Sequence, residues 1–228
     1  MLPKPEVVVN QDHKLALVVP YRNREEHLRQ FLPHIKRYLD EQQITHQLYV
    51  IEQAVGRLFN KGVLLNAGYL EADPSCDYFV FHDVDMLPVD VDYSFEETPT
   101  HLASAASQFG DTLPYEGYFG GVTLFSRKSF ELANGYSNEY WGWGAEDDDM
   151  LFRCHLAGMV VQRKSPGILK SLDHDRLIER GLYEKNMARV AEMRAGKSDW
   201  KNEGLNSCQY RVLNRDEATE RIHIRVSF

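Results

Sequence analysis

The chain reads as an α/β protein of βαβ units around a parallel sheet, and two observations predict it. Short apolar runs alternate with segments whose apolar residues recur at helical spacing, and clusters of Arg and Asp follow directly after apolar runs, where an open α/β sheet binds its ligand. At 228 residues, 43% hydrophobic and 26% charged, the composition fits one globular domain, and no stretch rich in Pro, Gly or Ser marks a linker to a second.

Leu15 to Pro20, an apolar run ended by proline, predicts the first strand. Leu28, Phe31, Leu32, Ile35 and Leu39 follow at the spacing of a helix buried along one face. His46 to Glu52 predicts a second strand, Leu58 to Ala72 a second helix, and Tyr78 to Phe81 a third strand running into His82-Asp83-Val84-Asp85. Beyond Pro88 the pattern loosens. Tyr118 to Ser126, with Gly120-Gly121 near its start, predicts a further strand, Asp147 to Ala157 a helix, and Arg176 to Arg194 a polar helix. Ile222, Ile224 and Val226 alternate with Arg221, His223 and Arg225, the period of a half-buried strand. Tyr21 to Arg24 and Asp83 to Asp85 both fall at carboxyl ends of strands, so they are expected to be neighbours in space.

A net charge of -8 with no basic cluster argues against nucleic acid as a partner. Cys76, Cys154 and Cys208 are far apart and odd in number, which fits a reducing compartment better than a disulfide framework, and no zinc-ligand spacing is present. Met1 to Gln11 lacks the features of a secretory signal, and no window approaches the roughly 20 apolar residues of a spanning helix. A cytoplasmic protein is the expectation.

Two acidic motifs carry the chemistry. Asp83-Val84-Asp85 follows an apolar strand, and side chains two apart on an extended segment share a face, so both carboxylates can address one cation. Hard oxygen ligands suit Mg²⁺ or Mn²⁺ holding a diphosphate. Asp is common in turns, but the end of a strand is where an α/β enzyme places such a pair. The second motif is Trp141-Gly142-Trp143-Gly144-Ala145-Glu146-Asp147-Asp148-Asp149. One or two acids at a helix N-terminus cap amides and complement the macrodipole, which hardly accounts for four. A carboxylate held there beside Trp143 would take a proton from a sugar hydroxyl, and the indole would stack on a sugar ring or pack in the core. Gly142 and Gly144 give the backbone freedom or positive φ. Arg22 and Arg24, after the first strand, are positioned to pair with a phosphate or a base, and His174 by itself reads as a surface or capping histidine.

Six blocks occur in a fixed order: Val19 to Leu28, Phe59-Asn60-Lys61 with Leu65-Asn66-Ala67-Gly68, Phe81 to Pro88, Tyr118-Phe119-Gly120-Gly121-Val122, Asn138 to Gly144 with Glu146-Asp147-Asp148, and Gly204-Leu205-Asn206-Ser207. Together they closely resemble the catalytic domain of the beta-1,4-galactosyltransferases over about residues 15 to 213. The resemblance implies a GT-A fold, Rossmann-like with a central mixed sheet flanked by helices in a single domain spanning residues 1–228. Its nucleotide-sugar half would cover about 15–90 and its acceptor and catalytic half about 115–228. It further implies a metal-dependent, inverting transfer of galactose from UDP-galactose to a sugar 4-hydroxyl, with Mn²⁺, or alternatively Mg²⁺, as cofactor. UDP-N-acetylgalactosamine or UDP-glucose as donor, and a non-catalytic nucleotide-sugar or glycan binding module, are the alternatives.

By position, the resemblance assigns Pro20, Arg22, Arg24, Phe59, Lys61, Asp83, Val84, Tyr118, Gly121 and Trp143 to the nucleotide sugar. It assigns Asp85 and His174 to the metal, Asp147 to the catalytic base, and Glu146, Asp148 and Trp143 to the acceptor. Tyr118 matches the tyrosine that favours galactose over N-acetylgalactosamine. Where the family supplies a methionine or a second histidine just upstream of the metal histidine, this chain has Ser171 and Leu172, with Asp173 and Asp175 as substitutes. The wall of the acceptor site is expected from Asp175 to Gly196. The acceptor would be a glycan or glycolipid, with peripheral membrane contact through a lipid-linked acceptor, in a bacterial-type enzyme.

Overall fold

The computed structural model describes residues 12–173 and 179–228. In chain order its elements are β1 (Lys14–Tyr21), α1 (Glu25–Glu41), β2 (Thr45–Gln53), α2 (Lys61–Glu71), β3 (Tyr78–His82), β4 (Met86–Val91), β5 (Thr100–His101), β6 (Ala105–Ala106), β7 (Val122–Ser126), α3 (Arg127–Leu132), α4 (Glu146–Leu156), β8 (Gln162–Arg163), β9 (Gly167–Ser171), α5 (Arg180–Arg194), β10 (Arg211–Ala218) and β11 (Arg221–Ser227).

Eight strands form one sheet in the order β10-β11-β2-β1-β3-β7-β5-β8. β11, β2, β1 and β3 run parallel, while β7 is antiparallel to β3. The sheet is therefore mixed, as the family resemblance implies, and not the all-parallel sheet that the βαβ pattern alone predicts. Between β3 and β7 the chain builds β4 and β6, which join β9 in a small second sheet ordered β4-β9-β6. It returns to the main sheet as β5, parallel to β3, and then turns back as β7, which lies between them and is antiparallel to both.

Both faces of the large sheet are covered. Leu15, Leu17, Val19, Tyr78 and Val80 pack with Phe31, Ile35 and Leu39 of α1. Ala16, Val18, Tyr49, Ile51, Phe79 and Phe81 pack with Leu64, Leu65 and Ala67 of α2 and with Phe130, Met150 and Cys154. Double coverage explains why β1 and β3 are continuous apolar runs, and why Ile222, Ile224 and Val226, with polar residues between them, sit further out.

Several boundaries differ from the sequence pattern. The strand expected from Tyr118 starts at Val122, because the carbonyls of Gly120 and Gly121 accept instead from the His101 ring and the Asp83 N–H. The second helix starts at Lys61 and not at Leu58, since Asn60 caps it through a bond from Val63 N–H at 3.0 Å. The last helix begins at Arg180, and Arg176 lies outside the described residues.

Candidate functional site

The carboxyl ends of β1 and β3 open into a cleft of about 760 Å³. Pro20, Arg22 and Arg24 reach it from the end of β1, and Phe59 and Lys61 from the start of α2. Asp83, Val84 and Asp85 reach it from the β3–β4 connection, Tyr118 from the segment before β7, and Trp143, Glu146, Asp147 and Asp148 from the start of α4. The two polar clusters after β1 and β3 are thus neighbours. Gly121 does not line the cleft. Its carbonyl accepts the Asp83 N–H at 2.9 Å, and a side chain there would collide with Met86. His174 lies outside the described residues.

Asp83 and Asp85 do not stand on an extended segment, as their spacing predicts. β3 ends at His82 and a tight turn follows, closed by a 3.3 Å bond from Met86 N–H to the Asp83 carbonyl. Both residues still face the cleft, because the turn presents them at its rim. Beside it, Met86 pairs with Ser171, and Leu172 N–H donates to the Asp85 carbonyl at 2.7 Å. The strand that leads into His174 therefore runs alongside Asp85. Ser171 Oγ is buried with no hydrogen-bond partner among the described residues.

The centre of the cleft is an ion cluster. Lys61 Nζ lies 3.1 Å from Asp83, 3.4 Å from Glu146 and 3.2 Å from Asp147. Burial alone would lower the lysine's pKa, but the carboxylates of Asp147, Asp83 and Glu146 raise it well above the usual ammonium value. Burial raises the Asp147 carboxyl well above the usual carboxylate range, with Glu146 and Asp83 adding to the shift and Lys61 opposing it. One ammonium thus faces three carboxylates from two separate segments, the β3–β4 turn and the start of α4, and the proton affinity of Asp147 is raised.

The four acids at the start of α4 divide. Asp149 turns inward, where buried Arg153 donates to it at 2.6 Å and Tyr140 at 3.1 Å, so it is part of the core. Asp148 accepts from Tyr115 Oη at 3.0 Å. Gly142 and Gly144 hold φ of 77° and 99°, which a side chain at either position would strain. Arg22 spreads its guanidinium 5.2 Å over the Phe59 ring and donates to the Arg57 carbonyl at 2.7 Å, and burial lowers its pKa.

Sequence reasoning missed Leu58, Gln108, Phe109, Pro114, Tyr115, Tyr183, Met187 and Arg194 in the cleft wall. Tyr183, Met187 and Arg194 come from the segment expected to form that wall, which has no motif to single them out. Tyr115 was within reach: it stands three residues before Tyr118, and the two rings meet edge to face at 5.5 Å.

Family models described as the N-terminal region of glycosyl transferase group 7 and the N-terminal domain of galactosyltransferase match residues 4–96 and 100–175. Human beta-1,4-galactosyltransferase 4 is 42% identical over 219 residues, covering 94% of this chain and 63% of that protein. Mouse beta-1,4-galactosyltransferase 1 is 39% identical over 208 residues, covering 89% and 51%. The chain therefore spans about half to two thirds of the length of these relatives. Among solved structures, a mutant of Drosophila beta-1,4-galactosyltransferase 7 in complex with manganese, UDP-Gal and xylobiose matches with a TM-score of 0.83 and 30% identity, over 94% of each chain. A Mycobacterium tuberculosis glucosyl-3-phosphoglycerate synthase, 13% identical with a TM-score of 0.59 over 93% of this chain and 89% of that one, shares the fold.

These relatives overturn the cytoplasmic placement expected from the sequence, because beta-1,4-galactosyltransferases are Golgi membrane-anchored type II proteins. No helix among the described residues is long and apolar enough to cross a membrane, which concerns those helices alone. The mixed sheet with its covered faces is the GT-A fold, and the chain belongs to the beta-1,4-galactosyltransferase family.

Proposed function

We propose that this chain transfers galactose from UDP-galactose to a hydroxyl of a glycan acceptor, with inversion, a beta-1,4 linkage and Asp147 as general base. The observation that carries the reading is the carboxylate of Asp147, held by Lys61 in a cleft that also presents Asp83, Asp85 and Arg22. A carboxylate with raised proton affinity, beside an ammonium that favours its charged form, suits proton abstraction.

Pro20, Arg22, Arg24 and Phe59 would hold the nucleotide, with Asp83, Val84 and Tyr118 toward the sugar. Residues 15–90 would thus form the nucleotide-sugar half and residues 115–228 the acceptor and catalytic half, with Tyr118 reaching from the second toward the donor sugar. The donor set fits a hard cation. Asp85 offers carboxylate oxygen, the end of β9 beside it lies three residues before His174 in the sequence, and Ser171 leaves an oxygen without a partner among the described residues. Asp85 and His174 would hold Mn²⁺, which when bound supplies positive charge to the leaving diphosphate.

Asp147 takes the proton of the acceptor hydroxyl as that oxygen bonds to the anomeric carbon. The bond from this carbon to the diphosphate breaks, and UDP leaves with the electron pair. Attack opposite the leaving group inverts the centre. Trp143, Glu146 and Asp148 would hold the acceptor, and the Trp143 side of the cleft would keep water from the donor. Tyr118 supports galactose over its 2-acetamido analogue. Its ring is braced by His101, Phe109 and Tyr115, with centroids 5.5–5.7 Å away, so it has little room to yield to a larger 2-substituent.

Asp147→Asn is expected to lower transfer by about a thousandfold while UDP binding with Mn²⁺ stays within a few-fold. Near-full activity in the folded variant would remove the base assignment. Asp85→Ala should make UDP binding insensitive to Mn²⁺. A donor panel with UDP-galactose, UDP-glucose and UDP-N-acetylgalactosamine, scored by UDP release, tests the sugar.

A further inference from the structure

Trp143 is 46% exposed over the cleft, yet its backbone is fixed from outside its own loop. Asn186 of α5, 2% exposed, turns its amide into the Trp141–Gly144 segment. Its Nδ2 lies 3.1 Å from the Trp141 carbonyl, 3.1 Å from that of Gly144 and 3.5 Å from that of Trp143. Three carbonyls within four consecutive residues converge on one point only because the positive φ of Gly142 and Gly144 bends the chain around it. An amide group has two protons, so the three acceptors share them.

The same helix also touches the indole. Tyr183 stacks on Trp143 with ring centroids 5.8 Å apart and planes 28° from parallel, and Leu182 fills the space over Gly142 that a side chain there would occupy. The Gly142 N–H donates to the Phe59 carbonyl at 2.7 Å, which anchors the start of the loop, while the carbonyls after it meet Asn186.

We propose that Asn186, with Tyr183 against the ring, is a positioning residue for Trp143: from α5 it gathers the carbonyls of the Trp141–Gly144 loop and so sets the pose of the indole toward the acceptor. This rests on the acceptor role given to Trp143 above. Neither residue touches the reacting atoms. The loop is short and its glycines are permissive, so without the amide its carbonyls would turn outward and the indole would lose its fixed face.

Asn186→Asp keeps the size of the side chain and replaces the donor with a carboxylate opposed to three carbonyls. The acceptor KM is expected to rise at least about tenfold while the UDP-galactose KM stays within about twofold, and acrylamide should quench tryptophan fluorescence more strongly. Tyr183→Ala, at a more exposed position, should move the same two readouts in the same sense. Tyr183→Phe keeps the stack and should return quenching to the unsubstituted level. Acceptor and donor KM rising together, a loss of kcat in proportion to the folded fraction, or unchanged quenching would overturn the proposal. If Asn186→Asp does not fold, the Tyr183 pair decides by the same measurements. Quenching needs no turnover, so it judges the positioning even if the unsubstituted chain transfers no galactose. That outcome would fall on the proposed activity alone.

Discussion

At the scale of the residue, Lys61 is the most constrained group in the cleft. Its ammonium offsets part of the repulsion among Asp83, Glu146 and Asp147, which burial would otherwise make severe. Lys61→Met removes that charge and keeps most of the packing volume. The Asp147 pKa, already raised, then rises further, and the fraction ionised at neutral pH falls. Activity should drop by about a hundredfold at pH 7, with the acid limb of the kcat/KM profile displaced to higher pH and the loss shrinking as pH rises. Lys61→Arg should keep the acid limb in place. A pH–rate profile decides, and an undisplaced limb in Lys61→Met would mean that Lys61 does not tune the base. The sequence made Asp147 legible as one of four adjacent acids, but not its partner. Lys61 is 86 positions away, and position within the family motif assigned it to the nucleotide. Only the meeting of the α2 and α4 N-termini puts the lysine on the base. Asp149 shows the same limit from the other side: the three acids before it face the cleft, while it pairs with Arg153 in the core.

At the scale of the element, α2 is the part that holds the site together. Asn60 Nδ2 donates to the Asn138 carbonyl at 2.7 Å, and Asn66 Nδ2 to the Tyr136 carbonyl at 2.7 Å, so the helix is tied along one side to the segment that leads into the Trp143 loop. Gly62 makes this approach possible, since a Cβ there would overlap the Ser137 carbonyl oxygen. Gly62→Ala is expected to cost about 3 kcal/mol of stability, read from urea midpoints, and to weaken transfer by displacing its neighbour Lys61. Gly181→Ala in α5, with open space around it, should instead be neutral or stabilising by about 0.5–1 kcal/mol. Equal effects at the two positions would sink the packing argument. α1 was readable from its helical spacing, and β1, β2, α2 and β3 from apolar runs of strand or helix length. β5, β6 and β8 have two residues each and show neither, and α3 follows β7 directly, with no break to announce it.

At the scale of the whole molecule, the cleft floor rests on two buried histidines that link the sheet to the site. On β3, His82 donates from Nδ1 to the Asp83 carbonyl at 2.9 Å, and its Nε2 accepts from Tyr93 Oη at 2.9 Å. On β5, His101 donates from Nε2 to the Gly120 carbonyl at 2.8 Å, and its Nδ1 has no partner among the described residues. Burial lowers both from the ordinary 6.5 to about 4, because a second proton would leave a desolvated charge and, at Nδ1 of His101, an N–H without an acceptor. Both are neutral in the folded protein, while the unfolded chain binds protons at pH 6.5. Their contribution is therefore fully present above about pH 6.5 and is lost as pH falls toward about 4, by roughly 3 kcal/mol each at most. Asp147 and Asp149 have raised pKa values, so they bind protons more readily when folded and offset part of that loss. The net expectation is a urea midpoint that falls between pH 6.5 and 4.5, with a slope of less than two protons. His101→Gln keeps a donor for the Gly120 carbonyl and removes one titrating group, so the slope in that interval should fall by close to one proton. A pH-independent midpoint in the unsubstituted chain, or an unchanged slope in His101→Gln, would show that the histidines beneath the cleft do not couple its floor to pH.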